Sequence, residues 1–144
     1  MLTGASSCSS ENAACSSTWP SAERVCSGQG LLDTFELLCE ADAVATDGLD
    51  SAAAVTDAAL HHGQPQAREA LALLCALLGS VAGNVALTLG ARGGVYVGGG
   101  IVPRLGPWFD ASPFRERFEA KGRFQDYLRA IPVWVITSAQ SPAL

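Results

Sequence analysis

Apolar positions recur along this chain at two different intervals, and each interval marks a different kind of element. After Ser27, the residues Leu31, Leu32, Phe35, Leu38 and Cys39 return every three or four positions and fall on one face of a helix that begins near Gly30. Ser27 is a residue type that caps such a start, because its side-chain oxygen can accept an orphaned backbone N–H. Residues 44–54 lack a period and read as a loop or weak helix with acidic punctuation. Thr56 reads as the cap of a short helix through Leu60, and His61-His62-Gly63-Gln64-Pro65 as a turn with two exposed histidines and no metal role.

Residues 67–90 form the longest helical segment. Val95-Tyr96-Val97 then breaks the helical period with a short β-branched and aromatic run, the pattern of a buried strand. Ser112 followed by Pro113 predicts a helix start, with Ser112 as the cap and proline at the first helical position. Phe114 and Phe118 share one face. Phe124, Tyr127, Leu128 and Ile131 share another after Lys121-Gly122-Arg123, and the charges between them read as a solvated face. Pro132 ends that helix, and Val133-Trp134-Val135-Ile136 is a second strand. Strand, helix and strand in this order predict a parallel pair joined by a crossover.

The long helix needs one further decision. Residues 70–91 carry no charge, a length that could span a bilayer, and Gly79 and Gly83 match a small-residue packing motif of membrane helices. Against this, Ser80, Asn84 and Thr88 make a polar stripe, and no Lys/Arg cluster or aromatic belt flanks the segment. The expectation is a helix buried in protein, its small residues packed closely against a sheet.

Composition narrows the class. Nearly half of the 144 residues are apolar (49%), and only 16% are charged, so most of the chain can form a core. The net charge of −5 argues against nucleic acid and against an anionic membrane surface. Cys8, Cys15, Cys26, Cys39 and Cys75 form no Cys-x-x-Cys, which suggests neither a disulfide framework nor a zinc site. Cys39 and Cys75 sit in apolar helical runs and read as small core residues in a reduced, cytoplasmic compartment. Residues 1–19 are Ser-rich and aperiodic, with no secretory h-region, and residues 1–21 together read as a disordered or aberrant leader.

The candidate chemistry lies where the first strand ends in Gly98-Gly99-Gly100. Glycines at such a turn let a ligand approach the backbone, because no Cβ intervenes. A helix start behind them would add unpaired N–H groups and partial positive charge, which suit a phosphate. The run is not a P-loop, since no Gly-Lys-Ser/Thr follows, and Pro103 stands where a dinucleotide fingerprint needs its third glycine. On these residues alone, a ligand-binding turn and a plain tight connection are both open.

Four blocks carry a wider resemblance. They are Glu23-Arg24-Val25-Cys26-Ser27-Gly28-Gln29-Gly30-Leu31, Gly83-Asn84-Val85-Ala86-Leu87-Thr88-Leu89-Gly90, Gly93-Gly94-Val95-Tyr96-Val97-Gly98-Gly99-Gly100-Ile101-Val102-Pro103-Arg104, and Phe114-Arg115-Glu116-Arg117-Phe118-Glu119-Ala120-Lys121-Gly122-Arg123-Phe124. In order and spacing, over about four-fifths of the chain, they resemble the C-terminal part of bacterial glucokinases of the non-repressor type. The resemblance implies an α/β fold, part of an actin-like, ribonuclease-H-like kinase lobe that is mostly helical with a short parallel strand pair. Residues 22–144 would be the partial C-terminal nucleotide-binding lobe. The first strands of the lobe's sheet lie upstream in the family.

The implied activity is phosphorylation of glucose to glucose 6-phosphate with ATP and magnesium, in the cytoplasm, with no nucleic-acid or membrane partner and a homodimer left open. The resemblance places Gly98, Gly99, Gly100, Ser27 and Gly28 at the nucleotide. Read from the residues alone, Ser27-Gly28 is an ordinary cap and turn. The family's Asp-x-Gly-Gly-Thr-Asn turn, its Asn-Asp pair with the catalytic base, and its Gly-Glu-Gly-Gly-His sugar segment do not occur in these residues. No catalytic residue and no magnesium ligand is therefore assigned, and Asp57, Asp110 and Asp126 stand outside the base motif. The alternatives are a non-catalytic nucleotide-binding remnant and a membrane-anchored interaction protein built on residues 70–91.

Overall fold

The computed structural model describes residues 21–137. The expected leader, apart from Ser21, lies outside the described residues, as do Cys8, Cys15 and residues 138–144. Ser21 caps the first helix, α1 (Ala22–Val25), accepting from the Arg24 N–H at 3.2 Å. Then follow α2 (Gly28–Ala41), α3 (Ala52–Asp57), a π-helical turn (Ala58–His62), and α4 (Pro65–Leu89). Strand β1 (Val95–Val97) leads to the short helices α5 (Val102–Leu105), α6 (Pro107–Asp110) and α7 (Phe114–Glu119). A 3-10 turn (Gly122–Phe124), α8 (Gln125–Arg129) and β2 (Val133–Val135) complete the described residues. β1 and β2 pair in parallel, Val95 with Val133 and Val97 with Val135. The fold class is the expected one, a mostly helical α/β arrangement around a short parallel pair.

α2 follows its apolar period. Leu31, Phe35 and Cys39 are buried, with Leu32 and Leu38 packed against them. The next helix is capped by Ser51, whose side chain accepts from Ala54 N, and not by Thr56. Thr56 lies inside α3 and donates its hydroxyl to the Ala52 carbonyl at 2.7 Å. A threonine can satisfy its hydroxyl in either place, so its identity alone does not fix the start. The segment continues past Leu60 through the two histidines and stops at Gly63, whose φ of 67° gives a left-handed cap. His61 and His62 are exposed and face Asp57 at 2.9 and 3.4 Å.

α4 buries Leu71, Leu74, Cys75, Gly79, Gly83 and Ala86, and Gly90 ends it with a φ of 61°. By length and composition it is apolar enough to cross a membrane, with a mean hydropathy of 2.1 over its most apolar window. Its small residues meet helix α7, not the sheet that was expected. A Cβ built at Gly79 would strike the Phe114 carbonyl oxygen, and one at Gly83 would lie 2.5 Å from the Phe118 carbonyl oxygen. The two glycines therefore form a notch that admits the backbone of α7. Lys121 lies over the same notch and donates to the Ser80 carbonyl at 3.0 Å.

α7 begins one residue later than expected. Pro113 is its cap position, and the Ser112 hydroxyl sits 3.4 Å from Phe114 N while donating to Phe109 O at 2.6 Å. Phe114 and Phe118 are buried on one face, their rings 6.0 Å apart. Phe124 leaves the face assigned to it. It is 44% exposed, with the Arg123 guanidinium over its ring, while Leu128 and Ile131 are buried. The 3-10 turn shifts the phase between Phe124 and α8, and that shift separates them.

The charges between these aromatic residues are not all a solvated face. Arg115 pairs with Glu119 at 2.5 Å and donates to the carbonyls of Ile131 at 2.9 Å and Arg129 at 2.8 Å. One guanidinium thus satisfies the end of α8 and ties the approach to β2 onto α7.

Cys75 is fully buried, and burial pushes its thiol from 9.0 up to about 11, the neighbouring Ser112 side chain acting the other way. The folded thiol holds its proton more tightly than the unfolded one. Its contribution is complete below the unfolded value and is lost as pH rises from about 9 to about 11. The melting temperature is expected to fall over that window by more than in Cys75→Ala, with a difference on the order of 2–3 kcal/mol at most. Parallel alkaline curves for the two proteins would contradict it.

Candidate functional site

Two distant segments meet at one cavity of about 330 Å³. Ser27 and Gly28 enter it from the start of α2, and Gly98 and Gly100 from the turn after β1. Leu74 and Leu78 of α4 form one wall. Ile101 and Val102 close the side behind the glycines, and Cys26 stands next to Ser27.

Each edge has a local cause. The Ser27 hydroxyl accepts from Gly30 N at 3.1 Å and donates to Arg24 O at 2.6 Å, so one side chain ends α1 and starts α2. That sharp junction needs Gly30, since a Cβ there would lie 2.5 Å from the Val25 carbonyl oxygen. Gly28 sits against Ala52, with 3.3 Å between an added Cβ and the Ala52 methyl. On the other edge, Gly99 turns the chain with a φ of 123°, a conformation that favours glycine. A Cβ at Gly99 or at Gly100 would meet no protein atom within 4 Å, so neither glycine is required by packing.

Of the five residues singled out in the sequence, Ser27, Gly28, Gly98 and Gly100 line this cavity, and Gly99 does not. The helix behind the turn is α5, of 4 residues, so it offers less dipole than a long helix start would. Cys26, Leu74, Leu78, Ile101 and Val102 were not singled out. The two leucines carry the same period as core leucines, so periodicity cannot separate a cavity wall from a packed face. Asn84 is exposed and does not line the cavity.

Electrostatically the cavity is neutral. Among the described residues, no Asp, Glu, Lys, Arg or His lines it, and burial pushes the Cys26 thiol up, which keeps it protonated. Asp57 is taken by the two histidines, Asp126 is exposed 3.5 Å from Arg129, and Asp110 borders a different groove beside β2. Among the described residues, no three His, Cys, Asp or Glu side chains come together as a metal site. The described residues that line the cavity do not fit a magnesium ion.

Comparison with known proteins gives this geometry its family. The sequence model of the glucokinase family matches residues 14–144. A glucokinase of Chromobacterium violaceum is 57% identical over 122 residues, covering 85% of this chain and 34% of that protein. A glucokinase of Nitrobacter hamburgensis is 50% identical over 128 residues, covering 88% of this chain and 39% of that protein. The crystal structure of a glucokinase from an Antarctic psychrotroph superposes with a TM-score of 0.71 at 34% identity, over 81% of this chain and 36% of that one. The chain thus spans between a third and two-fifths of the length of these relatives. Matching sequence blocks, a matching fold and a family model covering nearly all residues agree, and the chain belongs to the glucokinase family.

Proposed function

We propose that this chain carries part of the nucleotide-binding lobe of an ATP-dependent, cytoplasmic glucokinase. In the complete enzyme that glucokinase would phosphorylate glucose to glucose 6-phosphate. The observation that carries the reading is the meeting of Ser27–Gly28 with Gly98–Gly100 around one cavity. These residues lie far apart in the sequence, one pair at the start of α2 and the other after β1, and the family resemblance names both for the nucleotide.

The role of each part follows from its chemistry. The apolar walls at Leu74, Leu78 and Ile101 would receive the base. A cavity of about 330 Å³ is at the lower end of the usual range for ligand sites, roughly 300–1,000 Å³, and suits a base with part of its sugar. The glycine turn would leave backbone N–H groups free to face the ribose and phosphates. Phosphoryl transfer depends mainly on positioning and on groups that neutralise charge, with a base to accept the hydroxyl proton. This chain would supply positioning of the donor. Neither the base nor the sugar contacts are assigned to any of its residues.

Gly100→Val tests this in a complete enzyme containing this region. Because a Cβ at this position meets no protein atom within 4 Å and points no strain into the fold, folding should survive. The larger side chain would occupy space at the nucleotide. The expected result is a rise in KM for ATP of roughly tenfold or more, about 1.4 kcal/mol, with KM for glucose nearly unchanged. An unchanged KM for ATP in a folded variant would remove the contact.

A further inference from the structure

We infer that the open edge of β1 and the apolar groove beside it form a self-association surface, on which a second copy of this chain docks edge to edge in a two-fold dimer. The inference is independent of the nucleotide reading.

The backbone defines the edge. Among the described residues β1 has one partner strand, β2. Val95 N donates to Pro132 O at 2.9 Å, and Val97 O accepts from Ile136 N at 2.8 Å. In a parallel ladder one residue turns both its N–H and its C=O to a given neighbour, and the next residue turns both away. Val95 and Val97 therefore serve β2, and the N–H and C=O of Tyr96 point out of the opposite edge. A groove of about 410 Å³ runs between β1 and the face of α4 that carries Leu78, Val85 and Leu89. Its strand residues all belong to β1 and none to β2, so it lies on the open side.

The chemistry of the groove names its occupant. Among the described residues no charged side chain lines it, and a bare strand edge is a template for another strand. The partner must therefore bring a short apolar strand, and β1 itself is one, with Val95 and Val97 on either side of Tyr96. Turned antiparallel across a two-fold axis, Tyr96 of each copy exchanges both backbone hydrogen bonds with Tyr96 of the other. Gly94 and Gly98 flank that pair at equal distance and bring no side chain into it. Tyr96 stacks on Trp134 with ring centroids 4.9 Å apart, and the two stacked pairs continue across the sheet as one aromatic row.

The area suits a reversible dimer. Leu89 is 74% exposed, Tyr96 66%, Val85 49% and Trp134 43%. At roughly 150–250 Å² for a large side chain, these four leave on the order of 450 Å² open per copy, about 900 Å² for the pair. That lies at the small end of specific interfaces and corresponds to a Kd on the order of 10 μM.

Sedimentation velocity of the 144-residue chain from well below to well above that Kd, with hydrogen exchange at the Tyr96 amide, tests the inference. Leu89→Lys puts a charge into the groove at a side chain that folding leaves open, and Leu37→Lys, at a residue 66% exposed on α2 and outside the groove, is the control. The expected result is a monomer–dimer transition in which Tyr96 exchange slows by about tenfold or more. Leu89→Lys should weaken the dimer by about tenfold or more, and Leu37→Lys should leave it unchanged. Val85→Lys replaces Leu89→Lys if the latter loses its helical circular dichroism, and the amide measurement needs no variant. Assembly beyond two copies, a dimer indifferent to the groove variant or weakened equally by the control, or Tyr96 exchange independent of concentration would overturn the inference. A monomer at every concentration would overturn it too, and a protected Tyr96 amide in that monomer would show that the same chain covers its own edge.

Discussion

Mixed with glucose and ATP, these 144 residues alone are expected to give no phosphorylation above the no-enzyme blank. A kinase of this kind typically turns over about 1–100 times per second. Much of that rate comes from holding the acceptor hydroxyl against the γ-phosphate, where good orientation can supply roughly 7–11 kcal/mol. A general base adds about 10²–10⁴-fold. Neither contribution is assigned to any of the described residues. The cavity that gathers Ser27, Gly28, Gly98 and Gly100 holds no carboxylate, and the sequence contains no Asn-Asp pair. A coupled assay on purified chain measures this directly. Turnover of an ordinary kinase would mean that one of the acidic residues here serves as the base.

The second large effect is on stability. In a protein containing this region, Gly79→Val is expected to destabilise the fold by at least about 3 kcal/mol, at or beyond the upper end of ordinary overpacking. The added Cβ would collide with the Phe114 carbonyl, which is backbone and cannot swing aside. α7 would have to move off α4, and with it Phe118 and the Arg115 bonds that hold α8 and the approach to β2. Gly93 is the control, since a Cβ there meets nothing within 4 Å and Gly93→Ala should melt nearly as the parent does. Denaturant melts of the three proteins compare them. Coincident midpoints for Gly79→Val and the parent would show that the two helices do not pack through this notch.

These two effects also mark what could be read in the sequence. The helix at Leu31, Phe35 and Cys39 and the strands at Val95 and Val133 were legible, because one apolar period or one β-branched run decides each, but the expected burial of the strands was not met, since Tyr96 and Trp134 are exposed. The parallel pairing followed from the connection between the strands. The partner of Gly79 and Gly83 was not legible. Small residues announce a close approach, but the same notch can admit a sheet, a lipid-exposed helix or, as here, the carbonyls of α7. Arg115 was hidden for a related reason. A charge between aromatic residues looks solvated until the carbonyls of Arg129 and Ile131, more than a dozen residues on, fold back onto it. At the candidate site, the glycines and Ser27 were visible as turn and cap chemistry. The leucine wall was not, since Leu74 and Leu78 share the period of the core.

Cys26 provides a reporter inside the cavity between Ser27–Gly28 and the glycine turn, where the nucleotide is proposed to lie. Cys26 is partly exposed, whereas Cys39 and Cys75 are buried. Peptide mapping after brief exposure to a thiol reagent gives the rate of modification at Cys26 itself. Saturating ATP is expected to slow that rate several-fold, with glucose alone having no effect. Equal rates of Cys26 modification with and without ATP would show that no nucleotide binds there.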